Sequence, residues 1–249
     1  MLTFHEFIKE RNSIRDKKNA GEPRPWTNDL VLHKTRFTNI DRNDDRGTLE
    51  LFKKVKDFDI DSTVRIAVLF RTCYSSLLLL DRLTGVPRYD VELLDELRWG
   101  RITTRIPYNV WLYGGITMVE YLKTVAMPVA EYVVDHIRLW TNRSILSAGT
   151  EIGEVYGKYS PRRMFFVGTE IAKDLSTLYP NIIDPTSPCR LGPGAVKGLK
   201  LLQGETIKTL LTSTGLTYSA LEHALCEYSK YVARTRCGRL KTAWLYDRR

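Results

Sequence analysis

The sequence predicts a mainly α chain. Apolar residues recur at helical three-and-four spacing through most of it, and Pro and Gly punctuate the periodic stretches. Only residues 102–116, rich in β-branched and aromatic side chains, break that pattern. With 249 residues, 43% hydrophobic and 27% charged, the composition supports a buried core and excludes wholesale disorder. No internal repeat or low-complexity linker divides the chain. The expectation is therefore one domain over 1–249, with two helical lobes as its variant.

Phe4, Phe7, Ile8, Arg11 and Ile14 share a face and predict a first amphipathic helix, ended by Gly21, Pro23 and Pro25. Thr27 or Asn28 is the expected cap of the next helix. Along that helix Arg36, Asn39, Arg42 and Asp45 recur every third residue, which keeps them on one stripe. A structural helix puts apolar residues there, whereas this stripe suits a polyanion or a site lining. Asp61–Leu80 predicts an apolar core helix, and Gly85 with Pro87 ends the short stretch after it. Asp90–Arg98 predicts a short helix with Val91, Leu94 and Leu97 on one side. Residues 102–116 predict a short strand or extended connection. Thr117–Thr141 returns to an apolar helix interrupted at Pro128. Ser160 and Pro161 precede a helix over Arg162–Leu178, and Pro180–Pro188 forms a loop. Helical patterns over Leu191–Gln203, Glu205–Leu211 and Leu216–Arg236 lead to a basic tail.

The formal net charge of +9 favours a polyanionic partner, nucleic acid or equally anionic lipid, with nucleic acid ahead of a merely soluble basic surface. The amphipathic N-terminus has no signal-peptide core, and no apolar run is long enough to span a bilayer. Cys73, Cys189, Cys226 and Cys237 form no CxxC pair and have no His at zinc-finger spacing, so reduced thiols in a cytoplasmic protein are expected. No ligand spacing predicts a metal site.

Three segments carry candidate chemistry. Gly192-Pro193-Gly194 followed by Lys197 and Lys200 reads as a hairpin that offers backbone N–H groups and cations to a phosphate, or as a plain inter-helix turn. Glu222, His223, Cys226, Glu227 and Lys230 form the richest titratable cluster, fitted for acid–base work or for an exposed helix with ion pairing. Glu170 and Asp174 share a helix face and repel unless paired or used, with Arg162 and Arg163 as the expected neutralising partners.

The order of these motifs resembles a known family. Pro25-Trp26-Thr27-x-Asp29 and Arg36-Phe37-x-Asn39-x-x-Arg42-x-x-Asp45-x-x-Thr48 come first. Phe165-Phe166-x-x-x-Glu170-Ile171-x-x-Asp174-Leu175 is next, then Gly192-Pro193-Gly194-x-x-x-Gly198-Leu199. Leu221-Glu222-His223-x-Leu225-Cys226-Glu227-x-x-Lys230-Tyr231 closes the series. Over roughly residues 4–240 this is similar to the helical family of phage and bacterial DNA base-hypermodification proteins. That family includes α-glutamyl/putrescinyl-thymine pyrophosphorylase-like amino-acid:DNA transferases and the helical domain of 5-hydroxymethyluracil DNA kinases.

The resemblance implies a helix-hairpin-helix, DNA-glycosylase-like fold and a place in thymidine hypermodification that protects phage DNA from restriction. Its substrate would be double-stranded DNA carrying phosphorylated 5-hydroxymethyluracil, with an amino acid or polyamine as co-substrate and no certain cofactor. A kinase acting on the same base is the implied partner. GxxxxGKS/T is absent and the chain opens directly on the helical segment, so a stand-alone transferase is expected. Carried onto this sequence, Glu222 or Glu227 is the base for the amine, within a catalytic group that includes His223 and Lys230. Arg36, Arg42 and Lys230 hold the leaving phosphate. Asn39 bonds the flipped base, and Trp26 or Phe37 stacks on it. Asp29 and Asp45 orient the arginines, Glu170 and Asp174 complete the substrate group, and Gly192, Gly194, Lys197 and Lys200 hold the DNA. The alternatives are a non-catalytic DNA-binding module that recruits the kinase, and a glycosylase-like enzyme that excises a modified base.

Overall fold

The computed structural model describes residues 1–73, 77–85, 118–161 and 163–237. The chain forms two compact units. One is built from residues up to Asp45 together with those from Leu191 onward, the other from Arg46 to Arg190. Each has its own apolar core. The predicted mainly helical class is what both units show.

In the first unit, α1 (Phe4–Asn19) begins with a capping box. The Thr3 hydroxyl accepts the Glu6 N–H, and the Glu6 carboxylate accepts the Thr3 N–H at 2.8 Å. Its buried stripe is Phe4, Phe7, Ile8, Arg11 and Ile14, as the periodicity predicts. The cap of α2 (Leu30–Lys34) is Asp29, one residue beyond the expected pair, because its carboxylate accepts the N–H groups of Val31 and Leu32. The polar stripe is not on a helix. α2 ends at Lys34, Thr35 is extended, and only Arg42–Asp44 forms a 3-10 turn. Along 36–38 exposure alternates, with Arg36 and Thr38 outward and Phe37 inward, as an extended chain requires.

The C-terminal part of this unit is α10 (Pro193–Leu201), α11 (Ile207–Thr214) and α12 (Tyr218–Cys237). Gly215 ends α11 in the left-handed region at φ +67°, where a side chain would be strained. The core joins α1 to α12 through rings: the Phe7 centroid lies 5.2 Å from Tyr231 and 6.1 Å from Phe37.

The second unit begins with α3 (Arg46–Val55) and α4 (Ile60–Thr72), the latter capped by Asp59. The expected Asp61–Leu80 helix is divided, since α4 stops at Thr72 and α5 (Leu77–Thr84) is separate. The interruption expected at Pro128 takes the form of a π turn just before it, without a break in the helical path. α6 (Met118–Tyr121) continues through a π turn (Leu122–Ala126) into α7 (Met127–Ile137), and Pro128 stands in the first turn of α7, where its missing N–H is tolerated. β1 (Arg143–Ser144) pairs in parallel with β2 (Ile183–Asp184), which lies within the predicted Pro180–Pro188 loop. Between them run α8 (Ile145–Tyr159) and α9 (Phe165–Leu178), packed backbone to backbone through glycines. A Cβ on Gly168 would stand 2.4 Å from the Gly149 carbonyl oxygen. The predicted Asp90–Arg98 helix and the 102–116 strand lie outside the described residues.

Cys73 is buried in this unit, and desolvation pushes its thiol up to about 12, so it stays protonated throughout the neutral range. Cys237 is exposed. Brief treatment of the native protein with iodoacetamide is expected to alkylate Cys237 and spare Cys73, and peptide mass mapping checks this. Cys73 should react only once denaturant is added.

Candidate functional site

The site is built on α12. Its core face is Leu221, Ala224, Leu225, Tyr228, Tyr231 and Val232, yet two carboxylates are buried beside them: Glu222 is 2% exposed and Glu227 is 3% exposed. Buried carboxylates need donors, and each has found one in another segment of the unit. Glu222 Oε1 accepts the Gly192 N–H at 3.1 Å, which places a negative charge at the N-terminus of α10, where Gly192 has no capping side chain. Glu222 Oε2 lies 3.9 Å from His223 Nε2. Glu227 Oε2 accepts the Thr38 N–H at 3.3 Å, and its Oε1 accepts from the Lys230 ammonium at 2.5 Å.

Lys230 is half exposed. Burial pulls its pKa down, but the hydrogen bond and charge of Glu227 outweigh that and hold it above its ordinary value. It is a lasting cation at neutral pH, suited to holding an anion and unsuited to accepting a proton.

The 20–48 segment is fixed by bonds that its sequence pattern does not announce. Arg11, 6% exposed, donates to the carbonyl oxygens of Phe37 at 3.2 Å and Thr38 at 3.0 Å. Desolvation lowers its pKa, and the charge of Glu227 opposes that. Arg15 donates to Asp44 Oδ2 at 2.7 Å, and Asn39 Nδ2 donates to the Asp44 carbonyl at 2.7 Å. Asn39 is therefore engaged in shaping the loop. Asp29 Oδ2 accepts the Tyr231 hydroxyl at 2.7 Å while its other oxygen caps α2, which is a different task from orienting arginines. Arg42 is buried, and Asp45 closes the 3-10 turn through its N–H to the Arg42 carbonyl. Phe37 packs against Phe7 and Tyr231 in the core, away from any surface on which a base would stack. Trp26 is half-buried, with its indole N–H donated to the Glu22 carbonyl and the Arg24 guanidinium 4.7 Å from its ring.

The Gly-Pro-Gly motif has a packing task. A Cβ on Gly194 would meet Cys226 Sγ at 2.4 Å, and one on Gly198 would meet the Leu225 carbonyl oxygen at 2.1 Å. These glycines let α10 lie directly on α12. The Gly192 N–H is already bonded to Glu222, so Lys197 and Lys200, both exposed, are what the motif offers a phosphate backbone.

Glu170 and Asp174 belong to the second unit. Asp174 is fully buried and takes two hydrogen bonds from Arg71, at 2.5 and 2.8 Å, while Arg71 also donates to the Thr48 hydroxyl. Glu170 pairs with Lys173 at 3.0 Å. Arg163 lies 3.9 Å from Glu154, and among the described residues Arg71 pairs with Asp174 and Lys173 with Glu170; Arg162 lies outside the described residues. Both oxygens of Asp174 are held by Arg71, which gives it a structural task in the second unit.

The first unit thus joins residues 20–45 to a helix of paired buried carboxylates. Residues 1–86 match the model of the family described as 5-hmdU DNA kinase, helical domain, where 5-hmdU is 5-hydroxymethyl-deoxyuridine. This is the helical-domain family that the motifs resemble. The matched residues include the whole 20–48 segment; α10 and α12 lie outside them. No curated protein and no solved structure matches the chain. Among the described residues no helix is long and apolar enough to cross a membrane.

Proposed function

We propose that the chain is a transferase of thymidine hypermodification, acting on DNA in which 5-hydroxymethyluracil is phosphorylated. An amine nitrogen of an amino acid or polyamine attacks the 5-methylene carbon. The bond from that carbon to the phosphate oxygen breaks, (pyro)phosphate leaves as an anion, and a carboxylate takes the proton of the amine. The observation that carries this reading is the family match over residues 1–86 together with Glu227, which ties the matched 20–48 segment to the carboxylates of α12. Glu222, whose Oε2 lies 3.9 Å from His223 Nε2, is the base we assign, with Glu227 as the alternative. Lys230 and Arg36 remain the cations for the departing phosphate, and Trp26 is the aromatic surface for an extruded base.

The net charge of +9 and the exposed Lys197 and Lys200 fit a DNA partner held through α10 in a helix-hairpin-helix manner. The description of the matched family, a helical domain of a kinase, also favours a second reading: a DNA-binding module that works beside such a kinase.

Nucleoside mass spectrometry separates the two. Duplex DNA bearing 5-phosphomethyl- or 5-pyrophosphomethyl-deoxyuridine is incubated with the protein and a mixture of amino acids and polyamines, then digested. A nucleoside heavier than thymidine by the mass of one amine less two hydrogens, one from the methyl and one from the nitrogen, is expected. Unchanged phosphorylated nucleoside despite DNA binding would point to the accessory module, and free base to a glycosylase. In the same DNA, Lys197→Ala is expected to reduce the slope of log affinity against log salt by about 1. An unchanged slope would assign the hairpin to packing alone.

A further inference from the structure

The 37–38 peptide group is held at both ends by buried ions. Its carbonyl oxygen accepts from Arg11, and its N–H is donated to Glu227. The same Arg11 nitrogen also reaches the Thr38 carbonyl, so the guanidinium spans two consecutive carbonyls. Neither ion is required by the core around it. An apolar residue at position 11 would continue the stripe of Phe4, Phe7, Ile8 and Ile14, and ions enclosed beside that stripe are costly unless they fix something.

What they fix is outward-facing. Arg36 and Thr38 are exposed on the outer side of the extended segment, and the half-exposed Lys230 ammonium sits on the other oxygen of the carboxylate that holds the Thr38 N–H. Arg36 and Thr38 flank the held peptide, and Lys230 is tied to it through Glu227; two cations and a hydroxyl are the donor set that a phosphate monoester or diphosphate requires.

We infer that Arg11 and Glu227 are positioning residues that clamp the Phe37–Thr38 peptide, and that Arg36, the Thr38 hydroxyl and Lys230 form the site for the phosphate anion released in the transfer. The inference rests on the transferase reading for the origin of the anion, but the site itself is testable without it.

Inorganic pyrophosphate is the probe, titrated calorimetrically into the full chain. Wild type is expected to bind, and Arg36→Met and Lys230→Met are each expected to weaken binding about tenfold, the loss of one charge-assisted hydrogen bond. Arg11→Lys keeps the charge on a side chain one bond shorter, which no longer reaches the two carbonyls, and it should weaken binding by a similar factor. That loss should vanish in the Arg36→Met background, because Arg11 acts through the segment that carries Arg36. Full additivity would overturn the positioning role. Should Arg11→Lys fail to fold, exposed Thr38→Ala and Lys230→Met still decide the site: unchanged pyrophosphate affinity in both overturns it, as does a wild type that ignores pyrophosphate.

A DNA backbone phosphate has the same chemistry, so unmodified duplex is titrated as a competitor. Displacement of pyrophosphate by unmodified duplex would overturn the leaving-group assignment, and simultaneous binding supports it. Intact pyrophosphate binding with no amine transfer in the nucleoside assay would sink the transferase reading and leave the anion site standing.

Discussion

Asp174→Ala is expected to destabilise the second unit by about 3–5 kcal/mol, since it leaves the Arg71 guanidinium enclosed without its carboxylate. The side chains are 0% and 7% exposed, so water cannot take the place of the lost partner. The Thr48 hydroxyl remains on Arg71, but a neutral acceptor does not balance a buried positive charge. Urea denaturation followed by circular dichroism measures the loss. Replacing both partners, as Arg71→Met with Asp174→Leu, should recover most of it, because an apolar pair of similar volume avoids desolvating two ions. A loss below about 1 kcal/mol in the single variant would mean that the pair is hydrated and contributes as a surface pair does.

Gly198→Ala is the second large effect. Its Cβ would overlap a backbone carbonyl, that of Leu225, at 2.1 Å, which only a shift of α10 from α12 can relieve. A destabilisation of about 1–3 kcal/mol or more is expected, read as a fall in Tm. Gly194→Ala meets a side chain instead, Cys226 Sγ at 2.4 Å. Combining it with Cys226→Ala leaves the nearest contact at the 3.4 Å of the Cys226 Cβ, so the double variant should be more stable than Gly194→Ala alone. No such rescue exists for Gly198. Equal behaviour at the two positions would show that the helices separate freely, against the close packing described above.

Helices whose burial follows simple periodicity were legible. α1 and α12 could be placed from their apolar spacing, and the resemblance of the motifs to the helical-domain family holds over residues 1–86. The stripe from Arg36 to Asp45 was misread because a three-residue recurrence of polar groups also fits a chain that turns inward at Phe37, Ile40 and Arg42. The spacing alone does not distinguish the two, and Phe37 and Ile40 were the signal for an extended run. Arg11 stood in plain view at an apolar position of α1, where a charged residue calls for a buried acceptor; the carbonyls it serves are 26 and 27 residues away. Arg71 presents the same difficulty over a separation of 103 residues from Asp174, a distance at which pairing is a tertiary fact. The glycines of the 192–194 motif were read for phosphate because sequence shows their small size but not what approaches them.

The division of the chain has a consequence during synthesis. The core of the first unit needs Phe4 and Phe7 from one end of the chain and Tyr228 and Tyr231 from the other, with residues 46–190 between them. At ribosomal speeds of roughly 5–20 residues per second, the intervening segment alone takes on the order of 7–30 s to emerge. For that interval α1 has only the nearby Val31, Leu32, Phe37 and Ile40 against its apolar stripe, while the second unit is already complete in sequence and free to fold. The order of assembly is thus set by connectivity: the inserted unit forms first, and the nascent α1 stays a client for chaperones until α12 leaves the exit tunnel.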